Sequence, residues 1–411
     1  MEFSQQFSQQ TGLPYVKFDE WNSAFNYLGR ETQKGRCVII FDEISWVGSE
    51  DPDFLGKLKN AWDLIFKKND ELILFLCGSA SSWIEENILM SRGFYGRVSY
   101  TLTLKELPLN DCNEFWVNQE NNISPYEKLK ILAVTGGVPR YLEEVDPKKS
   151  SEENIKSLCF MPGGLLVEDF NKIFNVFFLS NSPLYKEIVS VLVEGSKENK
   201  EICDLLDISQ TGRISQYLNE LKLAGFISRE ASWDIKGAID KVRLYKYRLS
   251  DNYLRFYFKY IEKNLNRIEQ DSFHYKSLNT LPEWSVIMGL QFENLVLNNR
   301  EFIWKKLDLL PDDIVVDNPY FQRKTTQQLG CQIDYMIQTR FNCLYICEIK
   351  FSQTEIGKNV IKEVQNKIDN INSPKGYSFR PVLIHVNGVS EAVIESNYFS
   401  DVIDFSDIFK E

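Results

Sequence analysis

The residues best placed to do chemistry lie near the C-terminus, in Cys331-Gln-Ile-Asp334-Tyr-Met-Ile-Gln and, after a short polar turn, Leu344-Tyr-Ile-Cys-Glu348-Ile-Lys350-Phe. Each run alternates apolar and polar positions, the period of a half-buried β-strand. Folded as an antiparallel pair, the two runs bring two carboxylates and one ammonium to a common edge. Paired carboxylates offer hard oxygen ligands to a divalent cation such as Mg²⁺. A neighbouring lysine can orient or deprotonate a water, or stabilise charge on a phosphate. Together these are the groups needed for metal-assisted cleavage of a phosphodiester. The competing reading is an ordinary Glu/Lys pair on an exposed edge strand.

A helical segment upstream, Gly289-Leu-Gln-Phe-Glu293-Asn-Leu-Val, supplies a third acid. A helix over 354–371 carrying Gln365 and a last apolar strand, Arg380-Pro-Val-Leu-Ile-His385-Val-Asn, follow the pair. With the Asp334 and Glu348-x-Lys350 spacing, the order helix, two or three strands, helix, strand resembles the PD-(D/E)xK nuclease motif. That resemblance implies Asp334 and Glu348 as metal ligands, Glu293 as an auxiliary ligand, and Lys350 as the water-activating or charge-stabilising group. Gln365 is a further candidate of the kind many such enzymes carry.

A second pair of acids ends the apolar run Cys37-Val-Ile-Ile-Phe-Asp42-Glu43. A run this uniformly apolar reads as a parallel strand covered by helices on both faces, and acids at its C-terminal end face the crevice where α/β sheets bind ligands. A helical pattern over 53–68 and a second buried strand, Glu71-Leu-Ile-Leu-Phe-Leu-Cys-Gly78-Ser79, come next. Asp42-Glu43 resembles a Walker B motif, in which the first acid would hold Mg²⁺ and the second would polarise the attacking water. Ser79 matches a sensor position beside the γ-phosphate. The chain goes on through Gly93-Phe-Tyr-Gly-Arg97, Leu102-Thr-Leu-Lys-Glu-Leu-Pro-Leu109 and Gly136-Gly-Val-Pro-Arg140-Tyr-Leu142. This succession resembles the archaeal-type AAA ATPase family along essentially the whole chain. The family implies a P-loop ATPase domain, a winged helix and a nuclease-like C-terminal domain, with Arg97 and Arg140 as candidate arginine-finger or sensor residues. It also implies ATP as a ligand and, for modules with a complete P-loop subdomain, ring-like homo-oligomers.

The phosphate-cradling G-x-x-x-x-G-K-[ST] is missing. Gly29 to Gly35 has the wrong spacing, and Gly357-Lys358 lacks the first glycine, the hydroxyl and a preceding strand. Either Met1 starts inside the ATPase domain or the ATPase is degenerate; intact Asp42 and Glu43 favour the first. In both cases ATP is expected to bind weakly and turn over poorly, and an incomplete sheet should expose apolar surface.

Between these regions, helical patterns over 184–194 and 199–206 lead through a turn into Arg213-Ile-Ser-Gln-Tyr-Leu-Asn-Glu-Leu, with Gly225 placed to end that helix. Two strands follow, over 226–230 and 241–249. Helix-turn-helix plus hairpin is a winged helix. Arg213 at the recognition-helix start, and Lys241, Arg243, Lys246 and Arg248 on the wing, are the candidate DNA contacts. Residues 181–270 hold 15 basic and 13 acidic side chains, so extensive counterion release is not expected, and domain docking competes with DNA binding. The aromatic helix from Tyr247-Arg-Leu-Ser-Asp251-Asn-Tyr-Leu-Arg255-Phe reads as inter-domain packing.

The expected architecture is α/β multidomain: an AAA-type domain without its P-loop strand and helix over 1–150, a helical linker over 151–182, a winged helix over 183–262 and a nuclease-like domain over 280–411. The 411 residues carry a net charge of −11, which excludes a protein that coats nucleic acid by bulk electrostatics. Eight cysteines are scattered without zinc-ligand spacing, fitting a reducing cytoplasm, and no apolar run is long enough to span a membrane. Two further readings stay open: a nucleotide- or partner-binding regulator whose nuclease fold is inactive, and a plain winged-helix DNA-binding protein.

Overall fold

The computed structural model describes residues 2–79, 81–116, 123–177, 182–233, 235, 244–326 and 328–410. It is a mixed α/β, multidomain chain whose contacts divide it into two compact units, Met1–Thr103 and Leu104–Glu411.

In the first unit, β1 (Cys37–Phe41) pairs in parallel with β2 (Leu72–Leu76), Cys37 opposite Leu72 and Phe41 opposite Leu76. Helices Trp21–Glu31 and Phe54–Leu64 bring Phe25, Phe54 and Leu58 against Ile39 and Leu72. Successive side chains of a strand point to opposite faces, so only alternate residues join this core. Val38, Ile40, Ile73 and Phe75 are 54%, 63%, 43% and 49% exposed. The apolar run of β1 is therefore covered on one face, not on both as its composition predicts.

The first long helices of the second unit are Pro125–Thr135, Ser151–Cys159 and Leu165–Phe177. Helix Ser182–Val191, strand β3 (Lys197–Glu198), helices Asn199–Leu205 and Gly212–Leu223, and strands β4 (Ile227–Ser232) and β5 (Leu244–Leu249) follow, the three strands forming a small antiparallel sheet in the order β3, β5, β4. Ile214, Tyr217, Leu218 and Leu221 form the buried stripe of Gly212–Leu223, and Gly225, at φ 83°, follows its end.

The C-terminal sheet has the order β10 (Asp401–Asp404), β9 (Ser378–His385), β8 (Cys343–Lys350), β7 (Cys331–Thr339), β6 (Ile314–Gln322). Strands β6 to β8 are antiparallel neighbours; β8, β9 and β10 run parallel. Helix Trp284–Asn298 packs Met288, Phe292 and Leu295 with Tyr335, Ile337, Cys347 and Ile349 in one core. Helix Asn359–Asn370 packs Val360 and Val364 with Ile333, Met336, Leu344 and Ile346 in another. This last helix starts later than its expected residue 354, because Ile356 is tied into an extended bridge: its N–H donates to Gly388 O (3.2 Å) and its carbonyl accepts from Ser390 N–H (3.0 Å). All eight cysteines are free thiols, and no helix among the described residues is long and apolar enough to cross a membrane.

Candidate active site

The register Tyr335 opposite Cys347 carries Asp334 of β7 to the level of Glu348 on β8. Asp334 Oδ2 accepts the backbone N–H of Ile349 at 3.1 Å, which fixes the carboxylate across the strand pair. Glu348 is buried, with 2% exposure, and two ammonium groups flank it. Lys350 Nζ lies 3.0 Å from Glu348 Oε1 and 2.9 Å from Glu363 Oε2. Lys367 Nζ lies 2.5 Å from Glu348 Oε2 and 3.3 Å from Asp334 Oδ1. Glu293, on the opposite helix, completes the cluster electrostatically: burial first, and Asp334 second, push its carboxyl up to about 8. Burial and Glu348 likewise raise Asp334, against the pull of Lys367. Burial also works against the charge on Lys350, but Glu348 and Glu363 outweigh it and hold the ammonium above its ordinary value.

The structure thus brings Glu293, Asp334, Glu348 and Lys350 together, and adds Lys367 and Glu363 from helix Asn359–Asn370. Lys367 had a sequence signal: it follows Val364 by three residues, on the apolar stripe that faces the sheet. Gln365 lies off that stripe, donating to Asp369 and accepting from the Tyr398 hydroxyl. Among the described residues, no three acidic, His or Cys side chains converge closely enough to hold a metal as they stand. Asp334 and Glu348 converge as a pair, and the Lys367 ammonium stands between them, bonding one oxygen of each. The donors fit a hard divalent cation in kind, being carboxylate oxygens aimed at one positive centre. Asp334 and Glu348 would hold that cation, with Glu293 beside them.

In the first unit, the ends of β1 and β2 bring Glu43 and Ser79 together. The Ser79 hydroxyl donates to Glu43 Oε2 at 3.2 Å. Glu43 takes a left-handed backbone, φ 49°, while exposed Asp42 accepts the Glu43 N–H at 3.1 Å. Arg97 is engaged by Asp63 through two bonds, Nε to Oδ1 at 3.0 Å and Nη2 to Oδ2 at 2.8 Å, and this guanidinium holds the Asp63 carboxyl well below its ordinary range. In the second unit, exposed Arg140 pairs with Glu144 at 2.7 Å.

The expected DNA-contacting residues divide. Arg213 is exposed at the start of its helix, with Nε donating to the Tyr217 hydroxyl at 2.7 Å. Lys241 and Arg243 lie outside the described residues. Lys246 Nζ sits 4.4 Å from the centre of the Phe321 ring. Arg248 requires correction: its guanidinium is buried, donating to Glu230 Oε1 at 3.0 Å and also to Asn294 on the Glu293 helix. A guanidinium so enclosed cannot reach a phosphate. Just past the end of β4, the Trp233 indole donates to Gln338 Oε1 at 2.9 Å.

No family model matches the sequence. Among curated proteins, the uncharacterized protein MJECL04 of Methanocaldococcus jannaschii is 27% identical over 308 residues, covering 73% of this chain and 63% of the relative. The chain therefore spans less than two thirds of the length of that relative. Among solved structures, the Walker-type ATPase paby2304 of Pyrococcus abyssi superposes with a TM-score of 0.43 at 16% identity, over 62% of this chain and 74% of the other. A superposition that loose assigns neither fold nor activity.

Proposed function

We propose that this chain is a divalent-metal-dependent phosphodiesterase acting on DNA, of the PD-(D/E)xK kind. Its site is the cluster of Asp334, Glu348, Lys350 and Glu293, and it is attached to a winged helix and an AAA-type module. The supporting observation is the convergence of Asp334 and Glu348, from adjacent strands, on a single positive centre with Lys350 beside it. A divalent cation bound there would supply Lewis acidity toward a phosphoryl oxygen and a more acidic water.

The chain's own residues do the rest. Ile349 N–H fixes Oδ2 of Asp334, and Oδ1, which bonds Lys367 Nζ, is the oxygen that would ligate. Lys350, held protonated by Glu348 and Glu363, is suited to stabilising charge on a phosphate rather than to taking a proton from water. Exposed Thr211, at the N-cap, and Arg213, Ser215 and Gln216 on the first turns of helix Gly212–Leu223 offer the face for a duplex. In the AAA-type module, Asp42, Glu43 and Ser79 are the proposed nucleotide-facing groups, with weak ATP binding expected. A second reading, a regulator whose nuclease fold is inactive, draws on the Lys367 ammonium standing where a metal would be held.

The test is incubation of the purified chain with supercoiled plasmid and Mg²⁺ or Mn²⁺, beside Glu348→Ala and Lys350→Ala. Nicking or linearisation by the parent, lost in both variants while their circular dichroism is unchanged, is the expected result. A folded parent that leaves the plasmid intact with either ion supports the regulator.

A further inference from the structure

Lys367 is the side chain of this cluster that no motif assigns. It projects from helix Asn359–Asn370, which belongs to neither strand of the carboxylate pair, and it is only partly exposed. Its Nζ bonds one oxygen from each acid, Asp334 Oδ1 at 3.3 Å and Glu348 Oε2 at 2.5 Å. Lys350 differs in position: it bonds the other oxygen of Glu348 and turns outward to Glu363, without touching Asp334. A cation ligated by both acids needs the space between them, and that space holds an ammonium tethered to the fold. Two positive charges cannot share it, since the repulsion between them is steep at a few ångströms in a half-buried site. Without either cation, two buried carboxylates side by side would repel each other.

We propose that Lys367 is a built-in competitor of the divalent cation, and that its displacement from between Asp334 and Glu348 sets the metal affinity of the site. The inference rests on the metal-site reading above and adds to it the residue that tunes the site. In the metal-free protein the ammonium bridges the two acids and holds them in place. Metal entry requires the lysine to rotate away, into solvent or toward a phosphate that accompanies the metal. The site is thereby biased toward loading with substrate present, because an anionic phosphate offers the displaced ammonium a new partner.

The test is calorimetric titration of Mn²⁺ into the parent, Lys367→Met and Lys350→Met, with melting curves to establish that each is folded and Lys367→Gln in reserve should the methionine variant fail. Lys367→Met is expected to bind Mn²⁺ more tightly by about tenfold or more, the scale of one close charge repulsion. Lys350→Met, which removes a charge without vacating the space between the acids, is expected to gain distinctly less. Equal affinities for the parent and Lys367→Met, or equal gains in the two variants, overturn the competitor role while leaving the metal site standing. No heat of binding in any of the folded proteins overturns both.

Discussion

Glu106 lies in the stretch Leu104-Lys-Glu-Leu-Pro-Leu109, far in sequence from the groups that control it. Its Oε2 accepts the N–H of Gly137 at 3.1 Å, and Leu107 N–H donates back to Gly137 O at 2.8 Å. The two glycines permit this approach: a Cβ on Gly136 would stand 2.7 Å from Glu106 Oε2, and one on Gly137 would stand 2.2 Å from Leu107 O. Burial, then the nearby Asp251 carboxyl, lift Glu106 from its ordinary 4.5 to about 7. Asp251, which accepts Leu254 N–H at 2.7 Å, is itself lifted to about 6 by burial. The folded protein therefore holds the Glu106 proton more tightly than the unfolded chain does. Its contribution to stability is full below pH 4.5 and is lost as the pH rises through about 7. At about 1.4 kcal/mol for each tenfold change in proton affinity, the loss approaches about 3 kcal/mol, a ceiling because the carboxyl is partly solvated. Glu106→Gln keeps an oxygen for the Gly137 N–H and cannot ionise. Urea unfolding of both proteins from pH 5 to 8.5 should show the parent losing about 2–3 kcal/mol more than the variant. Titrating groups that do not touch Glu106 cancel in the difference, while the mutual repulsion of Glu106 and Asp251 is lost with the variant and belongs to the effect measured. Parallel stability profiles would refute the buried, proton-holding role of Glu106.

Arg255→Met should destabilise the second unit by roughly 4–5 kcal/mol, since it strips three acceptors, Val193 O, Leu249 O and Gln291 Oε1, of a charged donor inside the core. A shift of the urea midpoint equivalent to less than about 1 kcal/mol would show that the site helix does not depend on that network. For DNA, Arg213→Ala should weaken duplex binding and reduce the slope of log affinity against log salt by about 0.9, one phosphate contact. Arg248→Met should leave that slope unchanged and lower the melting temperature instead. Filter binding across a salt series decides between them, and the opposite pattern would return the wing to the DNA.

The amino-acid sequence by itself determined the local elements and the first layer of the site. Alternation of period two made β7 and β8, and a short turn between them put Asp334 and Glu348 at one level, since antiparallel register follows from the turn. The 3.6-residue stripe of Gly212–Leu223 and the Gly225 stop were equally legible, as was Glu293 on its helix, whereas the bond between Ser79 and Glu43 appears only when the ends of β1 and β2 are brought side by side. Tertiary packing decided what each charge meets. Arg248 sits in a strand pattern that reads as a basic wing, yet Glu230 and Asn294 enclose it; nothing within a few residues of Arg248 encodes a partner 46 positions away. Lys367 lies on the sheet-facing stripe of its helix, but the two acids it meets come to it only when that helix is laid across β7 and β8. Val38, Ile40, Ile73 and Phe75 have the composition of buried residues, and their exposure depends on which elements pack against that face of the β1–β2 pair. Periodicity is a property of a chain segment and is written in its order of residues. Burial, proton affinity and the competition of an ammonium for two carboxylates are properties of a neighbourhood, and exist only once distant segments have been brought together.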